Sequence, residues 1–387
     1  MCEKFTDGDW IEAKDQSDSG VRLVQTGNVG VTEYLDKPNN KKWISFETFE
    51  QLHCEEVYPG DILISRLPEP AGRACIMPNL GTKMITAVDC TIVRPNAVTS
   101  TRFLLQYLSS QAYFDAVNTC LAGGTRQRIS RGNLAQFNVP IPSSKIEQEK
   151  IGEVLEKLDT LITLHQRKYE KLVNIKKSML DKMFPKNGAS VPEIRFKGFT
   201  DPWEQRKLGE IAKEVVRNDP ASDAPIMMIT AGNGFIEQSD RYAFNNAGES
   251  LKKYILLERG ELAYNHGASK LRPYGSCFAL TTVEKARIPF VYHCFSVEKS
   301  NPEFLSIELN GANVENQLRK IVSSGARMDG LLNIAYSEYT EVTVQLPKKE
   351  EQDWIAKFFK HLDTLITLHQ REHIKPILEV KRVKRNE

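Results

Sequence analysis

A ten-residue segment that occurs twice limits what this chain can fold into. Leu158–Arg167 and Leu362–Arg371 both read LDTLITLHQR, with identity at every position. Such an identity within 387 residues indicates an internal duplication. The spacing is far longer than a solenoid repeat of about 20–50 residues, so each copy comprises a whole domain followed by a helix.

Shorter matches keep the same order in both halves. They pair Phe5–Trp10 with Phe199–Trp203, Thr26–Asn28 with Ala231–Asn233, Pro59–Leu63 with Arg259–Ala263, and Gly124–Arg126 with Gly325–Arg327. The sequences between the matches have diverged. We infer two copies of one fold that face different targets, while the helices keep a shared role. The alternative is an old duplication without functional asymmetry.

Local patterns predict an α+β protein. The predicted strands are Val21–Thr26, Asp61–Ile64, Ala87–Val93 and Phe137–Ile141, and Arg102–Leu121 has helical spacing. The predicted organisation is a small β-rich domain (1–142), a long helix (143–184), a polar linker (185–198), a second domain (199–346), a second helix (347–375) and a basic tail (376–387).

Both helices carry apolar residues in heptads. Ser144 and Glu147 fit a capping box at the start of the first helix, which would extend about 60 Å if it held about 40 residues. A one-sided apolar stripe requires a partner helix, so the two helices are predicted to form a coiled coil. Its predicted seam consists of Leu155, Leu158, Ile162, Leu362 and Ile366.

The second helix departs from the first after Arg371. Proline in a helix interior costs about 3 kcal/mol, so Pro376 predicts that this helix ends near Ile374. The distal half of the first helix would then lack a partner and expose Leu172, Met179 and Met183.

Composition is that of an ordinary soluble protein, with 41% apolar and 26% charged residues. Seven cysteines without a C-x-x-C pair favour a reduced cytoplasmic protein with buried thiols. There is neither an apolar run of membrane-spanning length nor a signal-peptide core, so no membrane association is predicted. The net charge of +2 means that any nucleic-acid binding depends on locally concentrated basic groups.

Catalytic signatures are missing from the sequence. It has no phosphate-binding loop, no dinucleotide-binding glycine motif and no nucleophile elbow. His369–His373 fits the zinc-peptidase pattern H-x-x-E-H, but the first copy lacks the second histidine, so no metal site is predicted. His53 and Cys54 are interpreted as core residues, with a Cys–His dyad left open. No cofactor is expected in this chain.

The chain resembles the specificity subunit of Type I restriction–modification systems. The resemblance depends on the duplicated helices with their upstream Pro and Glu-Gln, on Pro192–Ile211 (PEIRFKGFTDPWEQRKLGEI), and on Gly123–Ser130 (GGTRQRIS). It implies two target-recognition domains, a helical spacer that lies antiparallel, and binding to double-stranded DNA at a bipartite site. It also implies two adenine-N6 methyltransferase subunits, which carry S-adenosylmethionine, and a restriction/translocase subunit as partners.

Two domains held apart by a helical rod would read two short half-sites separated by a gap of fixed length. Because one turn of DNA is about 34 Å long, domains about that far apart can contact the same face of a duplex. Arginine commonly reads guanine, and asparagine or glutamine reads adenine. Loop residues of these kinds are the candidate DNA contacts. They are Thr26, Asn28, Arg66, Arg126, Gln127, Arg128, Ser130 and Arg131 in the first domain, and Asn233, Asn265, His266, Ser269, Lys270, Arg272 and Arg327 in the second.

The duplicated outer helical face is not needed for packing. It is predicted to present matched docking groups to two methyltransferase subunits, through Asp159 and Arg167 in one copy and Asp363 and Arg371 in the other. Two alternatives remain. The chain could be a coiled-coil adaptor that binds proteins without reading DNA, or an enzyme with a catalytic cleft in one half.

Overall fold

The computed structural model describes residues 1–124, 127–186, 188–241, 248–322 and 332–383, with side chains of the last helix described through Gln370. Chain contacts divide the protein into two units, Met1–Leu164 and His165–Glu387. The division falls within the first long helix rather than at either predicted domain boundary. The fold is α+β, as predicted.

The described residues of the first unit form eight short strands and four short helices. The strands are β1 (Cys2–Asp7), β2 (Gln16–Ser17), β3 (Val21–Val24), β4 (Lys42–Ile44), β5 (Ile62–Ser65), β6 (Ala74–Ile76), β7 (Met84–Thr86) and β8 (Cys90–Pro95). The helices are α1 (Phe46–Gln51), α2 (Thr101–Tyr107), α3 (Gln111–Thr119) and α4 (Arg131–Ala135), and the long helix α5 (Lys145–Lys182) begins here.

Two four-stranded sheets build the first unit, with strand orders β1-β8-β5-β6 and β2-β4-β3-β7. Strand β5 is buried on both faces. Ile62 and Ile64 belong to the cluster that includes α2 and α3, while Leu63 belongs to the cluster that includes β3 and β7. Because side chains alternate along a strand, one apolar strand can support both layers.

The described residues of the second unit form ten strands, three short helices, the distal part of α5 and the last long helix. The strands are β9 (Glu204–Lys207), β10 (Ala212–Glu214), β11 (Met227–Thr230), β12 (Gly234–Glu237), β13 (Ile255–Glu258), β14 (Leu262–Asn265), β15 (Ser276–Ala279), β16 (Lys285–Ile288), β17 (His293–Val297) and β18 (Thr343–Leu346). The helices are α6 (Pro302–Leu309), α7 (Ala312–Ile321), α8 (Tyr336–Tyr339) and α9 (Lys349–Val383).

The main sheets of the two units have matching strand orders, β1-β8-β5-β6 and β10-β17-β14-β15. The turns that precede β5 and β14 also match. Gly60 and Gly260 have φ angles of 93° and 88°, a region that favours glycine, and the acid after each glycine accepts a backbone N–H within its turn. The duplication therefore extends through the globular parts of the chain.

Two local predictions were wrong. The pattern over residues 102–121 forms two helices, because the side chain of Ser110 caps a new helix by accepting the N–H of Tyr113. Residues 137–141 form no strand, although their counterpart in the second copy is β18, which pairs with β9. No strand equivalent to β9 precedes the first domain within the described residues.

The distal half of α5 runs antiparallel to the first part of α9 within the second unit. Lys176 is ion-paired with Asp363, and the Nδ1 atoms of His165 and His369 lie 3.2 Å apart. As residue numbers rise along α5, those of its partners fall along α9. Leu362 is buried in this unit's core, against which Leu172, Ile175 and Met179 pack.

Three predictions about the helices require correction. Helix α9 continues past Pro376 to Val383, since proline removes one helical hydrogen bond without ending the flanking hydrogen-bond ladder. Met183 is buried, and Leu172 and Met179 are partly buried, because an antiparallel partner meets the distal half of α5 with its own beginning. The exposed members of the seam are instead Leu155 (38%) and Leu158 (43%). Ile162 and Ile366 are half-buried.

Each long helix is fastened to its domain by an equivalent buried glutamine. Gln148 accepts the N–H of Ser100 at 2.8 Å and donates to the carbonyl of Pro142 at 2.8 Å. Gln352 accepts the N–H of Asn301 at 2.8 Å and donates to the carbonyl of Pro347 at 2.9 Å. The Glu-Gln pattern of the sequence therefore includes a residue that fixes how each helix leaves its domain.

A buried carboxyl on α6 predicts a pH dependence of stability. Glu308 accepts the N–H of Gln345 at 3.0 Å, and burial raises the pKa of its carboxyl to about 7. A folded-state pKa above the unfolded value gives stability that is present below about pH 4.5 and is lost as the pH rises through 7. We expect the free energy of unfolding of Glu308→Gln, relative to that of the native chain, to increase by up to about 3 kcal/mol as the pH rises from 4 to 8.

This change would be measured by urea denaturation of both chains across the pH range. Glu298→Gln, which alters an exposed carboxylate of the same unit, is the control. A stability difference between Glu308→Gln and the native chain that stays constant from pH 4 to pH 8 would contradict the prediction.

Candidate nucleic-acid interface

Three arginines and two aspartates meet in the first domain where β1, β5 and the turn before β8 converge. Asp7 lies 3.5 Å from Arg66 Nε and 3.7 Å from Arg131 Nε. Asp89 lies 3.7 Å from Arg128 Nη1 and 4.0 Å from Arg66 Nη2. Arg128 and Arg131 are exposed, so they remain available to a polyanion. Arg66, also a predicted base contact, is only 9% exposed, and its Nη2 donates to the carbonyl of Val88.

The loop beside this cluster is closed at its base. Ala122 and Arg128 exchange backbone hydrogen bonds of 3.0 and 2.9 Å, and Gln127 is exposed within the loop. Arg126 lies outside the described residues. The hydroxyl of Ser130, a predicted DNA contact, accepts the N–H of Asn133 at 3.0 Å and caps α4.

Thr26 and Asn28 lie in a turn that is held from within the domain. Asn28 is buried, its amide donates to the carbonyl of Leu35 at 2.9 Å, and its Oδ1 accepts the N–H of Gln25 at 3.0 Å. These two hydrogen bonds hold the turn and occupy the polar atoms of a predicted base contact. Thr26 is half-buried, and its carbonyl accepts a hydrogen bond from Arg73.

Arg73 was missed by the sequence analysis. Its guanidinium donates to four carbonyls, which belong to the loops that follow β3 and β5. Desolvation lowers the pKa of this group. Arg73 lies outside the segments that match between the two halves, so the sequence did not indicate that its side chain joins two loops.

In the second domain, several predicted contacts are also engaged internally. His266 is 8% exposed, and its ring nitrogens each lie 2.7 Å from a backbone carbonyl, those of Leu332 and Val291. Asn265 donates to Ile229 and accepts the N–H of Gly267. Neither side chain is free to read a base, because its polar atoms are already bonded within the domain.

The remaining candidates of the second domain lie on two loops. Asn233 and Lys270 are exposed, and Ser269 accepts the N–H of Arg272 at 3.0 Å. Arg272 donates to the carbonyl of Asn310 at 2.7 Å, and desolvation lowers its pKa. Arg327 lies outside the described residues. Among contacts between described residues, the side chains of Lys270 and Asn233 have no hydrogen-bond partner.

The outer face of the helices is less symmetric than predicted. Asp159 accepts a hydrogen bond from Gln106 at 2.8 Å, whereas Asp363 is ion-paired with Lys176. Both aspartates therefore bond within the chain, with different partners. Arg167 is exposed, and the side chain of Arg371 lies outside the described part of α9.

The structure gives no support for thiol or metal chemistry within the described residues. Burial raises the pKa of the Cys54 thiol to about 11, the opposite of what an activated thiolate requires. No group of three His, Cys, Asp or Glu residues in the described segments is arranged to hold a metal ion.

None of the described helices has both the length and the hydropathy of a membrane span.

Residues 3–174 match the family model of the Type I restriction modification DNA specificity domain. Over these residues the chain is similar to the Type I restriction–modification specificity family. The matched region covers the first domain, the arginine cluster and most of α5.

Two curated relatives carry related names. The EcoKI specificity subunit of Escherichia coli K12 is 21% identical over 296 residues, which cover 71% of this chain and 62% of that protein. The chain thus matches less than two thirds of that relative's length. A putative MjaX specificity subunit from Methanocaldococcus jannaschii is 23% identical over 336 residues, covering 81% of this chain and 74% of that protein.

A solved structure shares the fold. The Type I restriction–modification S subunit from M. genitalium aligns with a TM-score of 0.51 and 13% identity, over 98% of this chain and 91% of that one. At this identity the likeness concerns the fold alone.

Proposed function

We propose that this chain is the non-catalytic DNA specificity subunit of a Type I restriction–modification complex. Each globular domain reads one half of a bipartite DNA site, and the long helices set the gap between the halves. Methylation and cleavage take place on partner subunits, and S-adenosylmethionine is bound by the methyltransferase rather than by this chain.

The observation that supports the proposal most strongly is the equivalent attachment of two divergent domains to two helices that share an identical ten-residue segment. Gln148 and Gln352 make the same two types of hydrogen bond: each accepts the N–H of the residue that caps a short domain helix, and each donates to a proline carbonyl. A shared attachment with divergent loops favours two readers that face different sequences from a common frame.

DNA binding separates this function from a protein-binding adaptor. A specificity subunit neutralises phosphates and releases counterions, so its affinity for duplex DNA should fall steeply as salt increases. We expect the complex with the methyltransferase to lose affinity by a factor of at least about 100 between 50 and 200 mM salt, since several phosphate contacts are involved. Salt-independent binding, or none, would favour the adaptor.

Methyltransferase docking on the helices is part of the same proposal. Arg167 is exposed on α5, and the duplication provides a second arginine at 371. Charge reversal at both positions should weaken methyltransferase binding, measured by co-purification and titration. Unchanged binding would remove these arginines from the docking surface without affecting the DNA proposal.

A further inference from the structure

Arg73 lies immediately before β6, at the end of the first domain that holds the arginine cluster. Strands β1 and β5 are both antiparallel to β8 and end where β8 begins. Strand β3 is parallel to β7, and a short turn leads from the end of β7 to the start of β8. The loops after β3 and β5 therefore lie at the same end of the domain as the exposed side chains of Arg128 and Arg131.

The guanidinium of Arg73 joins these two loops. Its Nε donates to the carbonyl of Val29 at 2.7 Å and its Nη2 to that of Thr26 at 2.9 Å, both in the loop that follows β3. Its Nη1 donates to the carbonyls of Leu67 at 2.7 Å and Pro70 at 3.0 Å, in the loop that follows β5. All four acceptors are backbone atoms, so Arg73 fixes the two backbones without using any loop side chain.

The loop after β3 is held in a costly conformation. Thr32 has a φ angle of 67°, in the left-handed region that a β-branched residue rarely adopts. Its N–H donates at 2.8 Å to the carbonyl of Ala74, the residue after Arg73, and the N–H of Gly30 donates to the carbonyl of Glu33 at 2.9 Å. Such a conformation persists only where the surrounding structure determines it, and it is found most often where a protein contacts a ligand.

The outward side chains of these loops have the chemistry of base contacts. Val31 is 42% exposed, and Glu33 and Glu69 are also exposed. In the major groove a carboxylate accepts the amino group of cytosine, and an apolar side chain contacts the methyl group of thymine. Arg128 and Arg131 at the same end supply positive charge for phosphates, which position a protein without reading the sequence.

The second domain has no guanidinium at this place. Strand β15 is the equivalent of β6, and the glycines that precede Ser276 and Arg73 share the left-handed region, with φ angles of 81° for Gly275 and 85° for Gly72. Ser276 therefore stands where the first domain has Arg73. The connection to β11 is made instead by Asn265, whose amide donates to the carbonyl of Ile229 at 3.1 Å. Loss of Arg73 should consequently affect one domain only.

We propose that Arg73 is a positioning residue for DNA reading by the first domain. By joining the loops after β3 and β5, it fixes where their exposed side chains stand against one half-site. The inference rests on the proposed function. Arg73 is partly buried and bonded within the domain, so it acts through the loops. A planar guanidinium suits this role because its donors point toward both loops at once, whereas a lysine has a single nitrogen.

The test is adenine-methylation mapping in cells that contain the methyltransferase and either the native chain or Arg73→Ala. The readout is the frequency of methylation at sites that carry one mismatched base in either half of the native motif. We expect discrimination in one half to fall about tenfold, since the loop carbonyls lose their donors and the two loops are no longer held together. Discrimination in the other half should be unchanged.

Arg73→Lys keeps the positive charge but not the planar set of donors. It should give the same one-sided loss of discrimination, and it replaces Arg73→Ala as the measured variant if the alanine variant fails to assemble. Native discrimination in Arg73→Lys would show that charge alone is required, and it would overturn the inference that Arg73 acts by joining two loops.

Two control variants separate positioning from stability. Leu105→Ala truncates a buried side chain of α2 in the core of the same domain, so it should lower the urea midpoint but leave both halves of the motif intact. Arg102→Ala removes an exposed arginine that pairs with exposed Glu156, and it should change neither property. A one-sided loss in Leu105→Ala as large as that in Arg73→Ala would mean that general weakening of the domain is the cause.

The outcomes separate the two levels of the argument. If the native chain gives a bipartite motif and Arg73→Ala leaves both halves unchanged, or degrades both equally, the positioning role is wrong while the proposed function stands. If the native chain with an active methyltransferase gives no bipartite motif, the proposed function is wrong and the inference falls with it.

Discussion

Leu362→Ala should destabilise the second unit by about 2–5 kcal/mol, whereas Leu158→Ala should cost less than about 1 kcal/mol. The two leucines occupy the same position of identical decapeptides. Leu362 is 7% exposed within a core packed by α5, but Leu158 is 43% exposed. The expected difference therefore arises from tertiary environment, because the local sequence is the same.

Urea denaturation of the native chain and both variants measures the difference. The identical flanking residues make Leu158→Ala an unusually close control, since helix propensity changes equally in both variants. Equal losses of unfolding free energy would contradict the antiparallel pairing. In that pairing the distal half of α5 packs its apolar side chains against Leu362 but not against Leu158.

Glu351→Ala should destabilise the second unit by about 3–5 kcal/mol, since it leaves a largely buried arginine without its partner. Arg195 donates two hydrogen bonds of 2.7 Å to the carboxylate of Glu351, which is buried in the first turn of α9. The hydrogen bonds to Glu351 raise the pKa of Arg195. Arg195 belongs to the Pro192–Ile211 segment, so this motif has a structural role.

Glu147→Ala provides the matched control for Glu351→Ala. Glu147 occupies the equivalent position in the first turn of α5 but is exposed. The described first domain has no equivalent of the Arg195 segment, so the control should lose no more than the roughly 1 kcal/mol of the predicted capping box. A comparably large loss in Glu147→Ala, or a negligible one in Glu351→Ala, would show that the ion pair does not hold the helix.

The sequence predicts the features that repeat. Identical decapeptides and ordered short matches predict two copies of one α+β fold, and the matching sheet orders agree with that prediction. The sequence also predicts antiparallel pairing of the two long helices, but the predicted exposure of Leu172, Met179 and Met183 was wrong. In an antiparallel pair, the distal half of α5 meets the beginning of α9, so changes after Arg371 do not expose Met183.

Polar loop residues were harder to predict, because sequence does not show which polar atoms are already bonded. Asn28, Asn265 and His266 were predicted to contact DNA, yet each uses its polar atoms within its own domain. Arg128 has the same chemistry as Arg66 but is 61% exposed on its side chain. Burial depends on where the loops pack, and the divergent sequences between the matches do not specify that packing.

The central claim is tested most directly by mapping adenine methylation in DNA from cells that contain this chain and the methyltransferase proposed as its partner. Two divergent domains, each fastened to its own long helix, predict a bipartite motif with two unrelated half-sites and a gap of fixed length. A palindromic motif, or no motif with a methyltransferase shown to be active, would contradict the account of two independent readers in one chain.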